Sequence, residues 1–87
     1  MKRSRTYVEP RPFLKVLGCR IAEARRATGL SQEAFAAKAG LHRTYQGMLE
    51  RGERNPTVEN LLRVCGALGL RLGQLLDDLP DVPPKEV

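Results

Sequence analysis

The sequence predicts an all-α fold of five helices, and three observations lead to that prediction. Apolar residues recur three and four positions apart, which is the spacing of helices that bury one face. Glycines such as Gly40 and Gly69 stand where these segments end, and the hydroxyl residues Ser31 and Thr57 stand where two of them begin. No segment alternates apolar and polar residues as a half-buried strand would.

The helices and their ends follow from these signals. Pro12 fits a first helical turn, and the 57–59 segment supplies a cap and an acid for the positive end of a helix. The predicted helices cover about residues 13–28, 32–39, 42–51, 58–68 and 72–78. The inward residues expected for the first and fourth helices are Phe13, Leu14, Leu17, Ile21, Ala24, Leu61, Leu62, Val64, Cys65 and Leu68. We expect a flexible basic arm over 1–12, one domain over 13–79 and a flexible tail over 80–87.

Length and charge limit the function. With 87 residues the chain has room for one core, and we expect no separate ligand-sensing domain. Residues 1–54 carry a formal charge of +7, whereas residues 55–87 carry −2. A basic front and a mildly acidic back favour a polyanionic partner on one face.

Several classes of site are not expected. Cys19 and Cys65 lack a second cysteine or histidine at metal-ligand spacing, so they predict reduced cytosolic thiols, with Cys65 in the core. No apolar run approaches the roughly 18 residues that span a membrane, and the basic start lacks the apolar segment of a signal peptide. No nucleophile–base pair, paired carboxylates or phosphate loop indicates an enzyme, and no cofactor or metal is expected.

The segment 30–57 carries the strongest functional signal. Ser31 can cap a helix that Gly40 ends, and Leu41 then turns inward before a second helix begins near His42. Two helices joined by a short glycine turn have the geometry that sets a recognition helix into the DNA major groove. A basic loop follows the second helix.

The chain resembles the phage-repressor/Cro-type (XRE-type) helix-turn-helix family over residues 14–79. The matching pieces are Leu17-Gly18, Arg25, Gly29-Leu30-Ser31-Gln32, Ala36, Ala39-Gly40-Leu41, Glu50-Arg51-Gly52, Asn55-Pro56-Thr57, Leu61-Leu62 and Ala67-Leu68-Gly69-Leu70. A narrower likeness to controller proteins of restriction–modification operons rests on Arg43-Thr44-Tyr45 and the 50–55 segment. The resemblance implies a five-helix domain that binds double-stranded DNA.

Residues for DNA contact follow from spacing and from the resemblance. The groove face of the recognition helix is expected to carry Arg43, Thr44, Gly47 and Met48. The guanidinium of Arg43 can bond a guanine edge or clamp a phosphate, and both alternatives stay open. The resemblance implies a phosphate contact for Gln32, and the phosphate or minor-groove candidates are His42, Arg51, Arg54 and Asn55.

The recognition helix also contains Gln46 and Glu50, two polar residues that are candidates for positions inside the domain. Helical spacing alone would bury Tyr45, Met48 and Leu49, whereas the family resemblance buries position 46, here Gln46, together with Leu49. The burial of Gln46 is left open. The resemblance also implies an internal ion pair between Arg25 and Glu50, which gives Glu50 a structural role.

The last helix predicts an assembly surface. Leu72, Leu75, Leu76 and Leu79 are more leucine than one short helix is expected to bury, so we expect a homodimer interface there. The alternative is that these leucines only close the core of the monomer.

The resulting hypothesis is a cytoplasmic, sequence-specific transcription regulator that acts as a homodimer on a partly palindromic operator. It would repress a promoter, or activate it when bound beside RNA polymerase. The alternative is an antitoxin that binds a toxin protein as well as its operator.

Overall fold

The structure, a computed structural model, describes residues 11–82 and 84. Over these residues the chain forms five α-helices and no strand, which confirms the predicted all-α fold. The helices are α1 (Pro12–Thr28), α2 (Gln32–Ala39), α3 (Arg43–Glu50), α4 (Val58–Leu68) and α5 (Leu72–Leu76). Pro12, expected in the arm, already belongs to α1. Residues 1–10 of that arm and positions 83 and 85–87 of the tail lie outside the described residues.

The predicted caps form where the sequence places them. The Ser31 hydroxyl accepts a hydrogen bond from the Ala34 N–H at 3.1 Å, and the Thr57 hydroxyl accepts one from the Asn60 N–H at 3.1 Å. Each bond satisfies a backbone donor that the first helical turn leaves free. Gly40 ends α2 with a φ of +76°, a left-handed conformation that glycine adopts without steric cost.

Both ends of α3 and the end of α5 differ from the prediction. His42 caps α3 from outside, because its Nδ1 accepts a hydrogen bond from the Thr44 N–H at 3.1 Å. The helix then runs from Arg43 to Glu50. Helix α5 ends at Leu76, two residues before the predicted end, and Arg20 of α1 donates a hydrogen bond to the Leu75 carbonyl at 2.8 Å. This bond satisfies one of the carbonyls that the end of α5 leaves free.

The core lies where the five helices meet. Ile21 of α1, Phe35 of α2 and Val64 of α4 have no exposed surface, and Leu49 of α3 and Leu75 of α5 are each 2% exposed. Every helix therefore contributes at least one fully enclosed side chain, and the small domain needs all five to complete its core.

Helices α1 and α3 approach each other most closely at Gly18. A Cβ atom at this position would lie 2.5 Å from the carbonyl oxygen of Glu50 and 2.6 Å from that of Leu49. Such distances are well inside van der Waals contact, so glycine is required for this helix contact. The contact fixes α3 against the long helix α1.

Two expectations about leucines were wrong. Leu75, expected at a dimer interface, is enclosed in the monomer core because α5 packs against both α1 and α4. Leu62, expected inward, is 53% exposed, because Leu61 occupies the inward position and the next residue lies about 100° further round the helix. Leu72, Leu76 and Leu79 are half-buried against the core.

Candidate nucleic-acid interface

The interface is built on α2, α3 and the loop that follows α3. Arg43 and Thr44 are exposed on the first turn of α3, next to the His42 cap. The loop residues Arg51, Arg54 and Asn55 are also exposed. We call the surface formed by Gln32, Glu33, residues 42–45, Met48 and residues 51–55 the α2–α3 face.

Arg25 and Glu50 form an ion pair behind this face. The Nε and Nη2 atoms of Arg25 lie 2.7 and 3.0 Å from the two carboxylate oxygens of Glu50. The two side chains are only 10% and 4% exposed. Arg25 also donates a hydrogen bond to the Leu30 carbonyl at 2.9 Å. The pair therefore links α1 and the turn before α2 to the last residue of α3.

The Glu50 carboxylate holds two further side chains. It accepts a hydrogen bond from the Gln32 amide at 2.9 Å and one from the Gln46 amide at 2.8 Å. Burial alone would raise the pKa of Glu50, but hydrogen bonds from Arg25, Gln32 and Gln46 and the charge of Arg25 outweigh burial and lower it. A charged carboxylate therefore connects α1, α2 and α3 behind the recognition helix.

Gln46 is fully buried, which answers the question that the sequence left open in favour of the family resemblance. Tyr45 and Met48 are half-buried, and Leu49 is enclosed. The Gln46 amide nitrogen is bound to Glu50, whereas its buried Oε1 has no partner among the described residues. A buried acceptor without a partner is costly, so the bond to Glu50 must offset part of that cost.

Gly47 lies beneath two interface side chains. A Cβ atom there would lie 3.2 Å from Arg51 Nη1 and 3.5 Å from Gln32 Oε1. Gly47, expected on the open groove face, is buried by these neighbours. The structure thus brings Gln32 and Arg51 together over Gly47, and it places Gln32 at the N-terminus of α2, where backbone N–H groups favour anions.

The exposed cations of the face have partners within the protein. Arg43 Nη1 lies 3.5 Å from a Glu33 oxygen, and Arg51 binds Glu53 through two bonds of 3.1 and 3.2 Å. The bond from Arg51 lowers the pKa of Glu53, as do the charges of Arg51 and Lys15.

Arg54 and Lys15 complete the loop side of the face. Arg54 Nε donates to the sulfur of Met48 at 3.3 Å, which brings a predicted loop residue and a predicted groove residue together. Lys15 of α1 donates to the Arg51 carbonyl at 3.1 Å and so anchors the start of the loop.

Sequence reasoning missed Glu33, Glu53 and Lys15. The Arg51–Glu53 spacing of two residues was the only one of these contacts visible in the sequence. The other two join different helices, or a helix and a distant loop.

Membrane-spanning helices and metal sites are not found among the described residues. No helix within residues 11–82 is long and apolar enough to cross a bilayer. The same described residues contain no group of three or more histidine, cysteine or acidic side chains placed to hold a metal ion.

Comparison with known proteins identifies the family. A sequence model described as helix-turn-helix matches residues 21–75. An uncharacterized helix-turn-helix transcriptional regulator, y4dJ of Sinorhizobium fredii, is 39% identical over 69 residues, which cover 79% of this chain and 90% of the relative.

Two solved structures agree with this assignment. The restriction–modification controller protein C.AhdI from Aeromonas hydrophila has a TM-score of 0.70 and 44% identity, covering 71% of this chain and 94% of that one. The biofilm regulator SinR, which occurs in Bacillus subtilis and was solved in complex with DNA, has a TM-score of 0.68 and 34% identity, covering 70% and 98% of the two chains. The chain belongs to the XRE-type helix-turn-helix family of DNA-binding transcription regulators.

Proposed function

We propose that this protein binds a specific operator as a homodimer, with α3 of each subunit in the major groove. The observation that carries the proposal is the exposed first turn of α3, which presents Arg43 and Thr44, with Arg43 in contact with Glu33 of the first turn of α2. In helix-turn-helix proteins the N-terminal residues of the second helix contact base edges. We expect the protein to act in the cytoplasm, where the DNA is, and we assign no reaction to it.

Base reading is assigned to Arg43, Thr44 and Met48. Arg43 can bond two acceptors of a guanine, and Thr44 offers a hydroxyl and a methyl group to the neighbouring base. Met48 is half-buried under Arg54, so it can make only apolar contacts. Gly47 is assigned no base contact, because Gln32 and Arg51 lie over it.

Phosphate binding is assigned to the residues that surround these base-reading side chains. Gln32 keeps one amide hydrogen after its bond to Glu50, and the adjacent N-terminus of α2 favours an anion. Arg51, Arg54 and Asn55 are exposed along the loop and can follow the backbone. His42 is committed to its helix cap through Nδ1, which leaves Nε2 for a phosphate.

We place the dimer interface on α4 and α5, and its leucines differ from the set that the sequence predicted. Leu75 is removed from the predicted surface because it is enclosed in the monomer. Leu72, Leu76 and Leu79 stay in it, because each is half-buried and so retains some exposed surface. Val58 and Leu62 on α4 are 63% and 53% exposed, and exposed apolar side chains of this size favour an interface.

Control of a restriction–modification operon is the biological setting that we propose. Its support is the 44% identity to a controller protein over most of that protein's length. The 50–55 segment, on which the narrower likeness to controller proteins partly rests, contains the basic loop after the recognition helix.

Selection of bound duplexes from random DNA tests the proposal. We expect a partly palindromic site whose half-sites are one helical turn, about 34–36 Å, apart. An unselective pool, or a single half-site, would contradict the dimeric reader.

Sedimentation at micromolar concentration tests the interface. Wild-type protein should sediment as a dimer and Leu62→Glu as a monomer, whereas Glu23→Lys, a charge change on an exposed site of α1, should remain dimeric. A monomeric wild type that binds the whole operator would overturn the dimer assignment.

A further inference from the structure

The α2–α3 face is basic, yet it carries two carboxylates beside its arginines. Glu33 lies at 3.5 Å from Arg43, and Glu53 holds Arg51 through two hydrogen bonds. All four side chains are at least half exposed, so these pairs are not needed to satisfy buried charges. We call Glu33 and Glu53 the interface carboxylates.

We propose that Glu33 sets sequence specificity, by lowering the affinity for random DNA more than the affinity for the operator, whereas Glu53 lowers both affinities alike. This inference rests on the proposed function, because it takes Arg43 and Arg51 as DNA-contact residues. The inference gives a role in DNA binding to an acidic residue, Glu33, that would otherwise only oppose it.

The first step of the argument is electrostatic. Binding to random DNA is supplied almost entirely by cations that replace the counterions of phosphates. A carboxylate paired with an arginine cancels its charge and also repels the phosphate that the arginine would approach. The pairs at Arg43 and Arg51 therefore weaken phosphate binding at two points of the face.

The second step concerns the donors that remain. An arginine has five N–H donors, and Glu33 engages only the Nη1 group of Arg43. The remaining donors can still bond the neutral O6 and N7 atoms of a guanine, which do not repel Glu33. The pair thus favours a base edge over a phosphate as the partner of Arg43.

Arg51 is assigned to a phosphate rather than a base, and its guanidinium also has a carboxylate partner. Its Nε and Nη2 groups are both engaged by Glu53, and its Nη1 lies over Gly47, towards Gln32. A phosphate must compete with a bidentate carboxylate for this guanidinium, and it does so on operator and random DNA. Glu53 therefore lowers the affinity for both kinds of DNA without changing the specificity ratio, because a phosphate carries no sequence information.

A simpler role for Glu33 is stabilisation of the first turn of α2, where an acid favours the positive end of the helix dipole. The chain contains a matched control for this role. Glu59 occupies the same second position of α4 and forms an exposed pair with Arg63 at 2.6 Å, but it lies outside the α2–α3 face. Glu59→Gln changes the net charge by the same amount as Glu33→Gln.

The experiment measures affinities of wild type, Glu33→Gln, Glu53→Gln and Glu59→Gln for the selected operator and for random duplex over a range of salt. We expect Glu33→Gln and Glu53→Gln each to bind random DNA about two- to fivefold more tightly, as loss of an exposed pair allows. For Glu33→Gln the operator affinity should rise by less, so the specificity ratio falls, whereas Glu53→Gln should raise both affinities by the same factor. The salt slope on random DNA should steepen by about 0.9 for each freed arginine.

The outcomes separate this inference from the proposed function. Equal gains of Glu33→Gln on operator and random DNA, an equal gain for Glu59→Gln, or no gain at all would overturn the specificity role of Glu33. A wild type that does not distinguish the selected operator from random DNA would instead overturn the proposed function. Thermal melting of each variant, expected within a few degrees of wild type, excludes unfolding as the cause.

Discussion

Replacement of Glu50 by alanine should destabilise the domain more than any surface substitution. The change removes the carboxylate that accepts bonds of 2.7 and 3.0 Å from Arg25, 2.9 Å from Gln32 and 2.8 Å from Gln46. Arg25, whose side chain is 10% exposed, then keeps its bond to the Leu30 carbonyl but loses its counter-charge. Gln46 has no exposed surface, and both its polar groups would be left without a partner.

The magnitude follows from these losses. Breaking a buried ion pair by removing one partner costs about 3–5 kcal/mol. The pair lies at the edge of the core, so we take the lower end, about 3 kcal/mol. For a domain of this size that corresponds to a melting temperature lower by roughly 12–24 °C.

Thermal unfolding followed by circular dichroism measures the effect. The control is Glu23→Ala, an exposed site on α1, which should change stability by less than about 0.5 kcal/mol. A Glu50→Ala variant within about 1 kcal/mol of wild type would refute the structural role of the carboxylate. Unchanged stability with an altered base preference would show that Glu50 reads DNA instead.

The same carboxylate predicts a pH dependence. The pKa of Glu50 is lowered from its ordinary value of 4.5, so its contribution is fully present above that value and is lost as pH falls through the lower folded pKa. The stability difference between wild type and Glu50→Gln should therefore shrink on acidification below 4.5. A difference that is constant or grows on acidification would contradict the lowered pKa.

Three further predictions concern packing and DNA contact. Gly18→Ala should destabilise by about 1–3 kcal/mol in chemical denaturation because its Cβ would meet the Glu50 carbonyl. Gly66→Ala in α4 should instead stabilise by about 0.5–1 kcal/mol, because its Cβ would meet no atom of the described residues within 4 Å. Gln32→Ala should weaken operator and random DNA alike in binding titrations, since a phosphate carries no sequence; a loss confined to the operator would contradict a phosphate contact. Operator affinity should fall steeply between low and physiological salt, and a flat response would show that the basic face is not the DNA surface.

The helix plan was predictable because its signals are local. Ser31 and Thr57 cap helices through backbone groups three residues away, and Gly40 ends one by its own backbone conformation. These effects need no information about distant parts of the chain. His42 was placed near a helix start for the same reason, although its cap through Nδ1 was not foreseen.

The burial of single side chains depended on distant neighbours, and there the sequence was ambiguous. Leu62 and Leu75 lie in helices that contain three leucines each, yet α1 and α4 enclose Leu75 while Leu62 remains exposed. Helical spacing alone predicted that the Met48 side chain would be buried in α3. Gln46 is buried instead, and Glu50 supplies a partner for its amide. Helical periodicity defines a face but does not define which neighbouring helices cover it.

The interface was predicted by residue type, and its internal contacts were not. Arg43 was identified as a groove residue and Arg51 as a residue of the basic loop, but their pairing with Glu33 and Glu53 was not predicted. Gly47 was assigned to the groove by spacing, while the side chains of Gln32 and Arg51 cover it.

The most direct test of the central claim is the affinity of Arg43→Ala for the selected operator, for operators with single base-pair changes and for random DNA. If α3 reads bases through Arg43, the variant should lose about 1–3 kcal/mol for each half-site of the operator and lose discrimination at one position of each half-site. It should keep discrimination at the other positions and lose little on random DNA. An equal loss on operator and random DNA, with discrimination unchanged at every position, would contradict a base-reading α3.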